Sequence, residues 1–313
     1  MTIALKARTP VDDVATQLPQ SAVRKREKRL AVAFLAPTVI GLGLFTLVPI
    51  IASVVLAFFK WDVISSPRWV GLDNFSSLFS DPTLRTSFIN TILFVIVSVT
   101  LQLSVALLLA VLVSSRLPGW LQSTLRSVFF FPLILSAASV SIIMSYLFNQ
   151  DFGLVNTYLQ DLGFGPVHWL TNGFSAQVMV VLVYVWQNFG FTFLLFLGGL
   201  AAIPKDIYEA SAIDGAGGWR QFRHVTLPLL SPTTLVASVM AIIAALQIFD
   251  QSYVLTRGGP GDSTRTVVMV IYQDAFGQLQ FGAASAIGVV LTVVIMLVTA
   301  LQFRLSRRFV YYS

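Results

Sequence analysis

Apolar residues gather in six runs along the chain, at 30–59, 88–113, 127–147, 177–203, 227–249 and 282–303, separated by polar segments with Gly, Pro, Ser and Asp. A helix rises about 1.5 Å per residue, so each run supplies the roughly 20 residues that a hydrocarbon layer of about 30 Å requires. The pattern predicts an all-α integral membrane fold of six transmembrane helices over residues 30–313. A polar tail over residues 1–29 precedes it. A cleaved signal peptide has a shorter apolar region, nearer the N-terminus, ending in a small-residue cleavage site. The first run here is long and unbroken, so it is expected to stay in the mature protein.

Prolines punctuate the runs. Pro37, Pro49 and Pro132 lie inside them and predict bends, because proline removes a donor and crowds the preceding turn. Pro228 and Pro232 are expected to mark a helix start, where the missing N–H costs nothing.

The chain is 56% hydrophobic and only 11% charged, whereas soluble domains carry about 25% charged residues. The net charge of +6 follows membrane topology and does not point to nucleic acid. Most of the 20 Lys and Arg fall in the N-terminal segment to Arg29, at Arg116 and Arg126, at Lys205, Arg220 and Arg223, and in the tail with Arg304, Arg307 and Arg308. Basic residues are retained on the cytoplasmic side, so both termini are expected there. The segment 148–176 has no Lys or Arg and is expected outside. Cysteine is absent, which removes disulfides and thiolate metal clusters from consideration.

None of the six runs contains Asp, Glu, Lys, Arg or His. Ion-coupled carriers, pumps and voltage sensors depend on ionisable groups inside the membrane, so energy for uphill transport is expected to come from another subunit. The chain has no phosphate-binding loop of its own, because none of its five lysines follows a glycine. The stretch Gly258-Gly259-Pro260-Gly261-Asp262-Ser263-Thr264 lacks that lysine and reads as a turn-rich outer loop. Gly41-Leu42-Gly43 reads as helix packing by small residues. His168 and His224 are expected on opposite sides of the membrane, which leaves no paired-histidine metal site and no catalytic site.

Residues 204–228 are too short and polar to span. They read as a short helix from Pro204, with Asp206 in its first turn, stopping near Gly215, then a glycine-hinged turn carrying Trp219 and Phe222. Within this stretch Glu209, Ala210, Asp214, Gly215, Ala216, Trp219, Phe222, Val225, Leu227 and Pro228 follow, in order and spacing, the EAA loop of bacterial ABC-importer permeases. Ser211 stands where that pattern has its second alanine. Further segments are similar to the carbohydrate-uptake (maltose and glycerol-phosphate type) branch of these permeases. They include Trp69-Val70-Gly71-Leu72-Asp73-Asn74-Phe75, and Tyr253-Val254-Leu255-Thr256-Arg257-Gly258-Gly259-Pro260.

The resemblance implies a type I ABC importer permease fold in a bacterial cytoplasmic membrane. It also implies a second permease subunit, two ATPase subunits holding ATP and Mg, and an extracytoplasmic solute-binding protein. Glu209, Ala210, Ser211, Asp214, Gly215, Ala216, Trp219 and Phe222 would then couple the chain to an ATPase subunit. The implied solute is a sugar or oligosaccharide; glycerol-3-phosphate or a glycerophosphodiester is the alternative, and a self-contained channel or secondary carrier the alternative of a different class. Sugar recognition needs hydrogen-bonding side chains and aromatic faces. Tyr184, Gln187, Asn188, Gln247, Asp250 and Tyr253 are the candidates in or near the spans.

Overall fold

The computed structural model describes residues 20–114 and 117–307, with side chains from residue 27 onward. Most of the predicted tail, together with Arg116 and Arg308, lies outside the described residues. Residues 1–53 and residues 54–313 form separate compact units and are described each by itself.

The first apolar run is helical from Gln20 onward: α1 (Gln20–Leu42), a π-helical turn at Gly43–Leu47, and α2 (Val48–Leu56). Pro49 accounts for the π turn. It has no N–H to give and its ring crowds the carbonyl four residues earlier, and widening the preceding turn by one residue relieves both. The same device recurs in the fifth run, where a π turn at Phe222–Thr226 precedes Pro228 at the same offset.

In the second unit a two-residue hairpin, β1 (Phe59–Lys60) against β2 (Arg68–Trp69), leads through α3 (Asp73–Ser80) into α4 (Pro82–Ser114). The third run is broken: α5 (Gly119–Ile134) and α6 (Ala137–Leu147) meet at 97°. Then come α7 (Leu154–Asp161), the long α8 (Gly173–Ala201) and α9 (Lys205–Ile213). The fifth run is also broken. α10 (Gly218–Gln221), the π turn and α11 (Leu227–Leu229) form one helical stretch that meets α12 (Ser231–Leu246) at 66°. α13 (Asp250–Thr256), α14 (Val267–Tyr272) with a π turn at Gln273–Gly277, and α15 (Phe281–Ser306) complete the chain.

The expected six spans are therefore four long apolar helices and two broken pairs. The reading of Pro228 as a helix start is corrected: it sits near the end of a helical stretch, and Pro232 opens the next helix. The 258–264 stretch turns as expected, through left-handed Arg257, Gly258, Gly261 and Asp262, and one side of it is packed against the helices. Thr264 is fully buried. Asn90 Nδ2 donates to the carbonyls of Asp262 (2.7 Å) and Arg265 (3.1 Å), and Gln177 Nε2 donates to that of Ser263 (2.8 Å).

Polar and small side chains share the interior with large apolar ones such as Phe94, Phe193 and Phe196, and many further large apolar side chains face outward. On α4 the buried side includes Ser87, Asn90, Thr91, Ser98, Gln102, Ala106 and Ala110, while Ile96, Leu108 and Leu112 are exposed. Small and hydroxyl side chains let helices approach where the surroundings offer no hydrophobic contrast. α4 lies along α8, and α8 receives α5 through Gly190, where a Cβ would stand 2.1 Å from the Phe129 carbonyl oxygen. The Phe129 and Phe193 rings meet edge to face beside it, 5.3 Å between centroids. By contrast Gly198, on the same helix, has nothing within 4 Å of its Cβ position.

Gly190→Ala is thus expected to cost ~1–3 kcal/mol or more by overpacking, read as a lower Tm in detergent. Gly198→Ala should be neutral or stabilising, by up to ~1 kcal/mol from helix propensity. Equal effects at the two positions would contradict this packing.

Candidate functional site

The break between α5 and α6 leaves Leu135 and Ser136 extended, so backbone groups that a continuous helix would satisfy are freed inside the bundle. Such groups must find partners within the protein. The Leu135 carbonyl accepts from Gln187 Nε2 of α8 at 3.0 Å, and Gln187 Oε1 in turn accepts from Gln251 Nε2 of α13 at 2.9 Å. Gln187 and Gln251 are both buried. The interruption at residues 247–249, between α12 and α13, is tied in the same way: Thr266 Oγ1 donates to the Ile248 carbonyl at 2.9 Å while also accepting from Met269 N at the start of α14.

The α5–α6 break and the α12–α13 interruption face a cavity of about 320 Å³ lined by Tyr184, Gln187, Asn188, Gln247, Phe249, Asp250 and Gln251, with Leu133, Leu135 and Ile248 among its apolar walls. The structure thus brings Tyr184, Gln187, Asn188, Gln247 and Asp250 together. Tyr253 does not line the cavity; it stacks on Phe249, 5.1 Å between ring centroids. The roles divide. Gln187 is committed to the break, and Asn188 Nδ2 donates to the Tyr184 carbonyl of its own helix at 2.8 Å. The Tyr184 hydroxyl is buried without a hydrogen-bond partner. Gln247 is exposed to the cavity. The lining holds one carboxylate and no Lys or Arg. Sequence reasoning missed Gln251 and Thr266; an amide and a hydroxyl beyond the end of an apolar run were the only signals.

Beyond α8, the 204–228 loop forms a compact unit. α9 starts at Lys205 after Pro204 and ends before Gly215, whose φ of +78° suits a residue without a side chain. Ser211 Oγ donates to the Tyr208 carbonyl at 2.9 Å. Gln221 Nε2 reaches both that carbonyl (3.2 Å) and Ser211 Oγ (3.0 Å), and the Tyr208 hydroxyl lies 3.1 Å from Thr226 Oγ1. The serine that replaces alanine therefore ties α9 to α10. Glu209, Ala210 and Asp214 are exposed, Ala216 is half-buried, and Trp219 is 73% exposed although its ring meets Phe222 at 5.6 Å. Among the described residues neither Glu209 nor Asp214 has an ion-pair partner. Tyr208, Gln221 and Thr226 were not singled out from the sequence.

The two histidines hold local structure. His168 Nδ1 lies 2.9 Å from Gln150 Oε1, and His224 Nδ1 lies 3.2 Å from the Arg220 carbonyl.

The sequence pattern of the family described as "Binding-protein-dependent transport system inner membrane component" matches residues 106–311. The chain belongs to that family. The permease is 36% identical over 283 residues to the sulfoquinovosyl glycerol transport system permease protein SmoG of Agrobacterium fabrum, covering 90% of this chain and 91% of that one. It is 33% identical to the arabinooligosaccharides transport system permease protein AraP of Bacillus subtilis (96% of each chain). It is 32% identical to the trehalose/maltose transport system permease protein MalF of Thermococcus litoralis (92% and 97%). Among solved structures, a chain of a bacterial ABC transporter involved in the import of the acidic polysaccharide alginate superposes with a TM-score of 0.84 at 22% identity, over 94% of the permease and 100% of that chain. The fold is that of an ABC importer permease, a multi-pass membrane subunit.

Outside the spans, burial pushes the Asp274 carboxyl above its ordinary range, aided by Asp81 and opposed by Arg265. A raised acid pKa means that the charged form is disfavoured in the fold, a cost absent at low pH and complete above the raised value. Asp274→Asn should therefore raise the Tm of the permease near neutral pH and leave it unchanged near about pH 3, where aspartate is protonated in both states. A gain that is the same at both pH values would show that ionisation is not its cause.

Proposed function

We propose that the permease forms half of the pathway of an ATP-driven importer for a sugar or oligosaccharide, with its second permease, two ATPase subunits and an extracytoplasmic binding protein as separate chains. The observation that carries the solute class is the cavity between the α5–α6 break and the start of α13. It is lined by the Gln247 amide, Asn188, Tyr184 and one aromatic wall at Phe249, the mixture of directional polar groups and ring faces that a polyhydroxylated ligand uses. The relatives' names, which refer to arabinooligosaccharides, trehalose/maltose and a sulfoquinovosyl glycerol, support the same class. A phosphate ester fits this half of the cavity poorly, because its lining offers the Asp250 carboxylate and no cation.

In this reading both termini are cytoplasmic, which places the 204–228 loop on the same side. α9 presents Glu209 and Asp214, together with the small Ala210, to a cleft of an ATPase subunit. Gly215 ends the helix so that Ala216, Trp219 and Phe222 can turn back towards α11, and Ser211 holds that turn closed. ATP and Mg²⁺ belong to the ATPase subunits. Hydrolysis there moves α9, and the α10–α11 stretch passes the motion to α12, whose far end reaches the cavity.

Glu209→Lys is expected to leave the permease in the membrane and to abolish ATP hydrolysis stimulated by solute-loaded binding protein. Stimulation at the wild-type level in that variant overturns the coupling assignment. Asn188→Ala and Gln247→Ala should each lower solute uptake about tenfold, the equivalent of ~1.4 kcal/mol for a lost hydrogen bond, with ATPase docking intact. Unchanged uptake in both would remove them from the solute path.

A further inference from the structure

The cavity is continued by a file of aromatic rings. Phe249, which lines the cavity, stacks on Tyr253 at 5.1 Å, and both rings contact Tyr272, at 5.1 and 5.3 Å. Tyr272 meets Phe276 at 5.4 Å, Phe276 meets Phe281 at 6.0 Å, and Phe281 meets Trp61 at 5.8 Å. The file thus crosses from α13 through α14 and its π turn to the start of α15, where Phe281 N donates to the Trp61 carbonyl at 3.0 Å. It ends among the loops and runs unbroken back to the cavity.

Three features separate this file from ordinary core packing and from an aromatic belt in lipid. Tyr272 and Phe276 are 39% and 66% exposed, so ring surface is left uncovered. Among the described residues neither the Tyr253 nor the Tyr272 hydroxyl has a hydrogen-bond partner within the fold, which leaves both to meet water or a ligand. Finally, polar side chains lie between the rings along the chain: Gln273 and Asp274 between Tyr272 and Phe276, and Gln278 and Gln280 between Phe276 and Phe281. A lipid-facing surface has no use for these amides. The π turn at Gln273–Gly277 inserts one residue between Tyr272 and Phe281 and re-aims the file, as such turns do at functional sites.

We propose that Trp61, Phe281, Phe276, Tyr272, Tyr253 and Phe249 form a stacking track for the sugar rings of an oligosaccharide, leading from the loop-rich end into the cavity. The C–H faces of successive glycosyl units lie on successive rings, and the interleaved amides and tyrosine hydroxyls take the equatorial hydroxyl groups. A row of similar, individually weak sites lets a solute enter and also leave, the requirement that multi-site pores meet. The track rests on the carbohydrate reading above and extends it: it predicts a preference for chain length, which the cavity alone does not.

The test uses the complete transporter in liposomes, with binding protein, and the uptake of neutral oligosaccharides from disaccharide to hexasaccharide. Tyr272→Leu and Phe276→Leu are expected to slow uptake of the longer sugars about tenfold more than that of the disaccharide. Tyr272→Phe, which keeps the ring and loses only the hydroxyl, should show no added penalty for the longer sugars. Stimulation of ATP hydrolysis by loaded binding protein should be unchanged in all three variants. A loss that is equal at every length, no loss at all, or a loss that accompanies failure of stimulated hydrolysis overturns the track; the last result would assign the rings to contact with another subunit. Uptake of glycerol phosphates and of no neutral sugar by the wild-type complex would overturn the carbohydrate reading and the track with it. Unchanged uptake in Asn188→Ala and Gln247→Ala, beside length-dependent loss in the ring variants, would fail the cavity residues and leave the track standing.

Discussion

Every backbone N–H and C=O within a membrane has to be satisfied by the protein itself, because lipid supplies no partner. Most of the permease meets this constraint with continuous helix, but two of its spans are broken, by 97° at α5–α6 and by 66° at α11–α12, and α12 is interrupted again before α13. At the first break the Leu135 carbonyl is taken up by Gln187, itself held by Gln251; at the α12–α13 interruption the Ile248 carbonyl is taken up by Thr266. These bonds bring α5, α8, α12, α13 and α14 into one arrangement. Truncating Gln187 would orphan both a carbonyl and an amide. The same two interruptions open the cavity: straight helices with the same apolar faces would close over it, and polar side chains that repair the backbone, Gln187 and Gln251, become part of its lining.

The same economy explains how a chain with no ionisable residue inside its expected spans can belong to an uphill transport system. Asp250 stands just beyond the fifth run, where α13 begins, and lines the cavity without a basic partner there. In the proposed function it contacts solute rather than relaying ions. There the driving force arrives mechanically, through the 204–228 loop. Its exposed helix is fastened to the following stretch through Ser211, Gln221, Tyr208 and Thr226, the linkage by which the proposal carries displacement of α9 into the span that ends at the cavity.

How much of this could be read from the chain depended on whether the information was local. The six apolar runs were legible because a span needs about 20 residues and each run supplies them. The short helix and glycine turn of the 204–228 loop were legible because their signals, from Pro204 to Gly215, are contiguous. Pro132 signalled a bend but could not distinguish a kink from a break of 97°, since the difference depends on whether a distant amide is there to receive Leu135. Gln187 reads in the sequence as a solute contact and is largely structural in the fold, because its partner Gln251 lies 64 residues away. α14 escapes the pattern of apolar runs: Val267–Tyr272 is too short to span, and only its burial against α4 and α15 makes it a helix of the core. The glycine-rich stretch before it announced its turns in its composition. Its packing against the helices rests on Asn90 and Gln177, which come from other helices.

The most direct test is ATP hydrolysis by the permease reconstituted in liposomes with its partner permease and ATPase subunits, measured with binding protein loaded with neutral sugars, loaded with glycerol phosphates, or empty. The expected result is association of the ATPase and stimulation by sugar-loaded binding protein alone. Solute accumulation driven by an ion gradient, with no ATPase subunit bound, would contradict it.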